Sequence, residues 1–352
     1  MKKIFIFFAA LAFVGLCGFG CISFKDATET ATSGIYKTTD QGEIWEKKAS
    51  FPTAAGLGSV AHVGINVFAI DPSDHLAIYA GTEADGLLYS YDGAETWNSP
   101  TDLNAGPIAA LAVDPEDKCV VYAASRNKIY KTEDCSRTFE QIYYETRTET
   151  EITDIKIDWY NHTLVYAATS EGDLLKSTDA GASWSPLFRF EGDIYDILID
   201  PFDSRVLYVG TERKGLWKTV DNGENWTQLN QELKEFKNTS DVYQVAADKT
   251  SQGTLIIATK YGLLRTHDAG STWSAIPLLT PPSEAEIQAL AINPREGKEI
   301  YYATDSTIYK TLDAGQSWIT KKVPASGRSA QALAVDPENG KVIYLGLTAA
   351  KK

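Results

Sequence analysis

The chain has 352 residues, of which 43% are hydrophobic, and its 33 basic and 47 acidic residues give a net charge of −14. This excess of acid argues against a nucleic-acid-binding protein, because neutralising phosphates requires a basic surface. The 26 glycines and 13 prolines exclude a collagen-like chain, and four cysteines are too few for a scaffold built on disulfides.

Residues 1–20 have the layout of a secretory signal peptide. Two lysines precede an apolar run over residues 4–14, and small residues then lead into Cys21. The Gly20-Cys21 step is similar to the processing site of bacterial lipoproteins, in which the cysteine is acylated. We therefore predict an exported lipoprotein of the cell envelope, anchored through Cys21, with residues 21–33 as a polar tether. The alternatives are ordinary cleavage, which gives a secreted or periplasmic protein, and an uncleaved anchor.

One short motif recurs seven times along the chain, at a spacing of about 45 residues. Each copy has Ser or Thr, then Asp, usually Gly two residues after the Asp, and an aromatic residue three positions later. The aspartates are Asp40, Asp92, Asp134, Asp179, Asp221, Asp268 and Asp313. An aspartate here accepts hydrogen bonds from turn N–H groups and glycine permits a positive φ, so the motif predicts a structural hairpin turn. Ala94 and Ser136 replace the glycine in two copies, where we expect modest strain, with Gly93 shifting the first of these turns.

Two β patterns precede each motif. The first, strand a, is apolar and ends in Asp-Pro or a close variant, as in residues 65–72 and 194–201, and the second, strand b, resembles residues 78–81. Each repeat therefore predicts four strands, a to d, with the Asp turn between c and d. Because the chain starts with strands c and d and ends with a and b, we predict an all-β, seven-bladed propeller over residues 34–352, closed by pairing of its ends.

These repeats resemble the Asp-box (BNR) repeat propellers, and the resemblance covers nearly all of the chain beyond the signal peptide. That group includes sialidases, xyloglucan-active glycosidases, the sortilin receptor domains and the photosystem II stability/assembly-factor family. A single seven-bladed ring behind an export signal is most similar to the assembly-factor-like and sortilin-type members. The resemblance implies a non-catalytic scaffold with a protein partner, although a shared fold alone does not assign function.

An enzyme of this group needs particular charged residues on its inner strands. A sialidase grips its substrate carboxylate with clustered arginines, and the seven predicted a strands contain none. A glycosidase needs two carboxylates, and Asp154 and Asp196 hold equivalent positions on adjacent a strands, followed by Gln244 on the next. Tyr195 and Tyr243 stand one residue before Asp196 and Gln244. These residues are interpreted as channel lining, as a ligand-binding arc or as a catalytic pair. The last interpretation is the least favoured, because the xyloglucan-active relatives build their cleft between two propellers.

Partner-binding residues are expected on the face formed by the d–a and b–c loops, opposite the Asp turns. Aromatic and arginine side chains are enriched at interaction hot spots. The candidates of these types are Tyr143, Tyr144, Arg147, Phe188, Arg189 and Phe190. The alternative is that the two phenylalanines cap the core. We expect the double variant Arg189→Glu/Phe190→Ala to abolish partner capture with little change in melting temperature.

The remaining reactive side chains indicate structure rather than catalysis. Antiparallel pairing of strands b and c brings Cys119 near Cys135, so we predict a disulfide, with two separate buried thiols as the alternative. The four histidines lack metal-ligand spacing, and no phosphate loop or nucleophile motif is present, so neither a metal nor a cofactor is predicted. The sequence thus predicts a monomeric, non-enzymatic propeller that binds a protein at the cell envelope. A carbohydrate-binding protein or glycoside hydrolase is the alternative, with a glycan as its ligand.

Overall fold

A computed structural model describes residues 33–349 of the chain. The predicted signal peptide, the acylated Cys21 and the tether up to residue 32 lie outside the described residues. In the described part, strands account for the regular structure together with a short 3₁₀ helix at Thr101–Leu103. None of the helical structure in residues 33–349 is long and apolar enough to cross a membrane.

The strands are short, as β-propeller strands are, and alternate with turns along the whole described chain. In chain order they are β1 (Gly34–Thr38), β2 (Glu46–Lys47), β3 (Ser50–Thr53), β4 (Gly56–Ser59), β5 (Ile65–Ile70), β6 (Ile78–Thr82), β7 (Leu87–Ser90), β8 (Ala110–Val113), β9 (Val121–Ser125), β10 (Lys128–Thr132), β11 (Glu140–Tyr144), β12 (Ile152–Ile157), β13 (Val165–Thr169), β14 (Asp173–Ser177), β15 (Ser185–Arg189), β16 (Ile194–Ile199), β17 (Leu207–Thr211), β18 (Gly215–Thr219), β19 (Thr227–Gln228), β20 (Val242–Ala247), β21 (Leu255–Thr259), β22 (Gly262–Thr266), β23 (Ser274–Ala275), β24 (Ala289–Ile292), β25 (Ile300–Ala303), β26 (Thr307–Thr311), β27 (Ile319–Lys322), β28 (Arg328–Val335) and β29 (Ile343–Ala349).

These strands form the predicted seven-bladed β-propeller. Blade 1 has the order β2-β1-β29-β28, so the start of the described chain pairs with its end and closes the ring. Blade 2 contains β5 to β7, and blades 3 to 7 follow as β8–β11, β12–β15, β16–β19, β20–β23 and β24–β27. The inner strands β28, β5, β8, β12, β16, β20 and β24 each contact the inner strand of the next blade. The fold class and the ring closure predicted from the repeats are therefore confirmed.

Three local features differ from the predicted pattern. In blade 2 a single bridge between Tyr89 and Asn98 takes the place of a full outer strand. The loop expected over residues 50–64 contains an additional hairpin formed by β3 and β4. Strand β28 begins at Arg328, two residues earlier than expected, so an inner strand does contain one arginine. A single arginine at the start of one strand still lacks the cluster that a sialidase requires.

Each Asp turn is built by side-chain hydrogen bonds to the backbone. In the turn of Asp179, the Ser177 hydroxyl donates to the carboxylate at 2.7 Å and accepts the N–H of Gly181 at 2.8 Å. The hydroxyl and N–H of Ser183 donate to the same carboxylate, and these bonds lower the pKa of Asp179 to about 2. The aspartate thus stays ionised and stabilises the turn, as the motif predicts.

The glycine position of the turn has a left-handed backbone in every blade, and in some blades it also leaves no room for a side chain. Gly315 has φ 90°, and a Cβ there would lie 2.3 Å from Cγ2 of Ile276 in the preceding blade. Ala94 and Ser136 adopt the same conformation with φ 70° and 64°, which costs backbone energy in these two turns. The expected shift at Gly93 is wrong, because in the other turns too the residue before the glycine position has a positive φ.

Basic side chains of strand c join neighbouring blades around the ring. Lys218 donates to the carbonyl of Ala269 in the next Asp turn at 2.9 Å. The equivalent contacts come from Lys37, Lys131, Lys176, Arg265 and Lys310. Each bond satisfies a turn carbonyl of the adjacent blade, so the lysine that precedes the Ser or Thr of the motif helps to stabilise the ring.

The structure joins Cys119 and Cys135 in a disulfide, at a contact that recurs in every blade. In the six other blades, the N–H of the residue equivalent to Cys135 donates to the carbonyl of the residue equivalent to Cys119. In blade 4, for example, Ala180 donates to Thr163 at 3.0 Å. The disulfide therefore replaces a backbone hydrogen bond between the a–b turn and the Asp turn with a covalent link.

Reduction of this disulfide is expected to lower the free energy of unfolding by about 3 kcal/mol, because the bridge closes a short loop. The reduced protein should remain folded, since six blades hold the same two turns without a disulfide. Urea unfolding with and without reductant measures the loss, and a Cys119→Ser/Cys135→Ser control should not respond to reductant. Peptide mapping that finds both cysteines alkylatable in the non-reduced, unfolded protein would contradict the bridge.

Candidate functional site

The inner strands enclose an axial cavity of about 530 Å³. Along blades 4 to 6, Asp154, Asp196 and Gln244 lie in one layer with Tyr195 and Tyr243 above them, and Asn66, Gln288 and Gln331 add polar groups from blades 2, 7 and 1. The other blades contribute mainly small and apolar side chains at the positions of that carboxylate layer, including Val67 of blade 2. The structure therefore brings together the five channel residues that the sequence indicates.

A backbone irregularity explains why two successive residues of each strand face the cavity. The pairing register of β12 skips between Ile152 and Asp154, and β16 and β20 skip at the equivalent place. A bulge of this kind turns one extra side chain to the same side of the sheet. Thr153 lines the cavity beside Asp154 for this reason, and Tyr195 and Tyr243 line it beside Asp196 and Gln244.

Asp154 connects blade 4 to blade 5. Its Oδ2 accepts the N–H of Ile197 at 2.8 Å, and its Oδ1 accepts the N–H of Ile155 at 2.8 Å. The ammonium of Lys156 lies 2.7 and 2.8 Å from the two carboxylate oxygens. Only 7% of Asp154 is exposed. Both of its oxygens are therefore committed to neighbouring donors.

Asp196 repeats the connection one blade further on. Its Oδ2 accepts the N–H of Val245 at 2.8 Å, and its Oδ1 lies 3.6 Å from Nζ of Lys156. Burial raises the pKa of Asp196, Lys156 opposes that rise, and the nearby charge of Asp154 adds to it. One ammonium thus serves two carboxylates, and its contact with Asp196 is the longer of the two.

Tyr195 and Tyr243 form an aromatic pair at the mouth of the cavity. Their ring centroids are 5.5 Å apart with an interplanar angle of 42°, and Tyr195 is 36% exposed. Burial, followed by the negative charges of Glu212 and Asp241, raises the pKa of Tyr195 to about 12. Both phenols are therefore neutral donors at neutral pH, next to acidic loops.

The loop arginines that the sequence singled out bind the protein's own acids. Arg147 lies 2.9 Å from Glu145 and 2.6 Å from Asp173, and Arg189 lies 2.8 Å from the same Asp173. The hydrogen bonds from Arg147 lower the pKa of Glu145 to about 2. Arg189 is the more exposed of the two, so a partner would have to compete with Asp173 for it.

The aromatic loop candidates divide between core and surface. Phe190 is 1% exposed and packs with Phe188 against Trp217 and Trp226, so the predicted docking role of Phe190 is wrong, whereas that of the partly buried Phe188 stays a prediction. Phe190 caps the core of blades 4 and 5, which is the alternative considered from the sequence. Tyr143 and Tyr144 lie on the outer strand β11 rather than in a loop as expected; Tyr143 packs on Trp184, whereas Tyr144 is 46% exposed. Tyr144 is thus the exposed aromatic residue among these candidates.

Lys156 was missed by the sequence reasoning, although a simple comparison indicates it. It lies two residues after Asp154 on β12, where the other inner strands have Ala69, Ala112, Leu198, Ala246, Ala291 and Ala334. A single charged residue at a position that is apolar in the other six inner strands indicates a specific partner for that charge. Among residues 33–349, no group of three or more His, Cys, Asp or Glu side chains is arranged to hold a metal ion.

The fold and the repeated turn define this chain as an Asp-box seven-bladed β-propeller. Residues 187–344 match the family model described as photosynthesis system II assembly factor YCF48, so the predicted resemblance is confirmed. The structure of YCF48 bound to D1 peptide superposes with a TM-score of 0.61 at 14% identity, over 81% of this chain and 94% of that one.

Glycoside hydrolases show the same architecture. The GH74 xyloglucanase from Xanthomonas campestris superposes with a TM-score of 0.68 at 17% identity, over 81% of this chain and 51% of the enzyme. A probable oligoxyloglucan-reducing end-specific xyloglucanase from Neosartorya fischeri is 34% identical over 71 residues, which is 20% of this chain and 8% of the relative. This chain thus spans about half of the enzyme structure and a small part of the curated relative. At these sequence identities, the solved structures establish the fold alone.

Proposed function

We propose that this chain is a non-catalytic binding scaffold of the cell envelope, exported and anchored through Cys21, that holds a segment of a protein at the mouth of its axial cavity. The proposal rests on the contacts that the two channel carboxylates make. Asp154 and Asp196 each accept a backbone N–H from the inner strand of the next blade, and they share Lys156. These contacts make the pair a connection between blades rather than a free acid and base.

Chemical requirements support this choice over glycoside hydrolysis. A hydrolase needs one carboxyl group that can reach the leaving oxygen and a second that acts as base or nucleophile. Both oxygens of Asp154 already accept hydrogen bonds, from the N–H groups of Ile155 and Ile197 and from the ammonium of Lys156. A protein segment, in contrast, needs only exposed aromatic and polar groups at the mouth, which Tyr195 and Tyr243 offer. The likeness to YCF48 bound to D1 peptide also supports a protein partner.

Carbohydrate binding or hydrolysis is the second candidate function. The raised pKa of Asp196 is a property of a general acid, and the exposed tyrosine pair beside it offers a surface on which a sugar ring can stack. The likeness to GH74 enzymes supports the same candidate.

Affinity capture from the native membrane fraction, with tagged full-length protein, tests the proposal. The variants are Tyr195→Leu/Tyr243→Leu at the mouth and Glu116→Gln/Glu224→Gln, exposed acids next to the turns of the opposite face, as the control. We expect a defined protein that the wild type and the control retain and the tyrosine variant loses, identified by mass spectrometry and confirmed by binding of the purified partner.

The same samples distinguish the second candidate. Retention of a glycan that is lost in Asp196→Asn, or hydrolysis of xyloglucan oligosaccharides that this variant abolishes, would overturn the scaffold proposal. Circular dichroism of each variant confirms that it is folded. Asp196→Asn is suited to this use because the amide oxygen can still accept the N–H of Val245.

A further inference from the structure

The seven blades act as internal controls for one another, because they repeat the same positions around the ring. One such position lies three residues before the layer of the inner strands that contains Asp154 and Asp196. Around the ring it is Gly64, Pro107, Glu151, Asp193, Asp241, Glu286 and Ser329. The four acids follow one another on blades 4 to 7, and the other three blades carry uncharged residues. A feature that three blades omit is not required by the fold.

This acidic arc, defined as Glu151, Asp193, Asp241 and Glu286, lies on the same side of the ring as Asp154, Asp196 and Gln244, and its member Glu286 lines the cavity. The next layer inward contains Tyr195 and Tyr243, and the layer below contains Asp154, Asp196 and Gln244. Three successive layers therefore depart from the repeat pattern in the same sector.

The acids of the arc lack the cationic partners that other acids of the same face have. Within residues 33–349, no Lys, Arg or His ion pair within 4 Å involves the acidic arc, whereas Glu191 pairs with Lys214 at 2.7 Å. Two backbone contacts hold the arc in place: Asp241 accepts the N–H of Arg213 at 2.9 Å, and the carbonyl of Asp193 accepts the N–H of Glu212 at 2.9 Å. The negative charges of the arc are thus held in position, and the nearby charge of Arg213 offsets those of Asp193 and Asp241 only in part.

Two further observations indicate a donor ligand rather than an anion. Gln244 lines the cavity, and its Oε1 is enclosed without a hydrogen-bond partner, so a buried acceptor is left unsatisfied. The exposed faces of Tyr195 and Tyr243 are suited to contact a cation, because an aromatic ring carries negative potential on its face. Lys156 lies deeper in the cavity and would repel a second cation there. A cationic ligand is therefore expected to bind at the mouth of the cavity.

We propose that the mouth of the cavity binds a lysine or arginine side chain of a peptide, held between the acidic arc and the Tyr195–Tyr243 pair. The aliphatic part of such a side chain packs on the tyrosine rings, and its N–H groups face carboxylates and the Gln244 oxygen. This inference rests on the proposed function, because it gives the chemical class of the protein segment that the scaffold holds. The partner is accordingly basic at the bound segment, complementary to an acidic chain.

Binding of a fluorescent hexalysine peptide to the full-length protein, followed by anisotropy, tests this proposal. Asp193→Asn/Asp241→Asn removes two charges of the arc, and Tyr195→Leu removes one ring. Glu116→Gln/Glu224→Gln removes the same two charges from the opposite face. We expect each mouth variant to weaken binding about tenfold, with the control unchanged within about twofold, and hexaglutamate not to bind. Affinity should fall as salt rises from 50 to 300 mM, about as expected for a screened ionic contact.

Equal weakening by the arc variant and the control would overturn the proposal, because the peptide would then respond only to net charge. An unchanged affinity in Tyr195→Leu would also overturn it. If the captured partner depends on the tyrosines but hexalysine does not, the cation site is wrong and the scaffold function stands. If hexalysine depends on the arc but no protein is captured, the site stands and the scaffold function fails.

Discussion

Asp154→Ala is expected to lower the free energy of unfolding by about 3 kcal/mol. The substitution leaves the N–H of Ile197, a fully buried residue, without its acceptor and removes the nearest partner of Lys156. An unsatisfied buried donor and an unpaired charge in the channel are both costly. Urea unfolding of the wild type and the variant, monitored by circular dichroism, measures the loss.

The neighbouring blades suggest a matched control for this prediction. Asp154→Ala/Lys156→Ala converts the β12 pattern to that of β8, which carries Ala110 and Ala112 at the two positions. Because this double variant removes the charge as well as its partner, it should recover about 1 kcal/mol or more relative to Asp154→Ala. If Asp154→Ala is as stable as the wild type, the carboxylate does not connect the blades, and it becomes available for catalysis or ligand binding.

Phe190→Ala is expected to cost about 3 to 5 kcal/mol of stability, because it removes a fully buried aromatic ring. Phe190 packs against Phe188, Trp217 and Trp226 and closes the core between blades 4 and 5. The expectation that Arg189→Glu/Phe190→Ala would leave the melting temperature almost unchanged is therefore revised. Thermal and urea unfolding of Phe190→Ala give the measurement.

Arg189→Ala is the control on the adjacent residue, and it should change stability by less than about 1 kcal/mol because its ion pair is largely exposed. Phe190→Leu should lose less than Phe190→Ala, since most of the buried volume is retained. A Phe190→Ala variant with wild-type stability but no partner capture would contradict the core assignment and return Phe190 to the docking surface.

The candidate site could be predicted in part from the repeats. Alignment of the inner strands places Asp154, Asp196 and Gln244 in one column, and the structure puts them on one wall of the cavity. In the same alignment, the column three residues before this one contains the acidic arc, and the column two residues after it contains Lys156. The contacts could not be predicted, because a periodic pattern does not show which donor a carboxylate meets on the next blade.

The predicted docking residues show what residue type alone could not predict. Arg147, Arg189 and Phe190 have the residue types of an interaction surface, but type does not distinguish a loop that covers the core from one that faces solvent. Phe190 follows the last residue of β15, where the chain turns inward over Trp217 of the next blade. Only the packing of two blades decides that its ring is buried.

The sequence by itself determined the architecture of this protein. Seven in-register Asp turns, their spacing and the complementary halves at the two ends allow one closed ring, because each local signal repeats and all agree. The tertiary structure decided what the non-repeating residues do, since their environments depend on groups from neighbouring blades. Packing directed Phe190 into the core, paired Arg189 with Asp173 and tied Asp154 to Ile197. It also placed the acidic arc on the same side of the ring as Tyr195 and Tyr243, of which Tyr195 is exposed, a combination that no single strand contains.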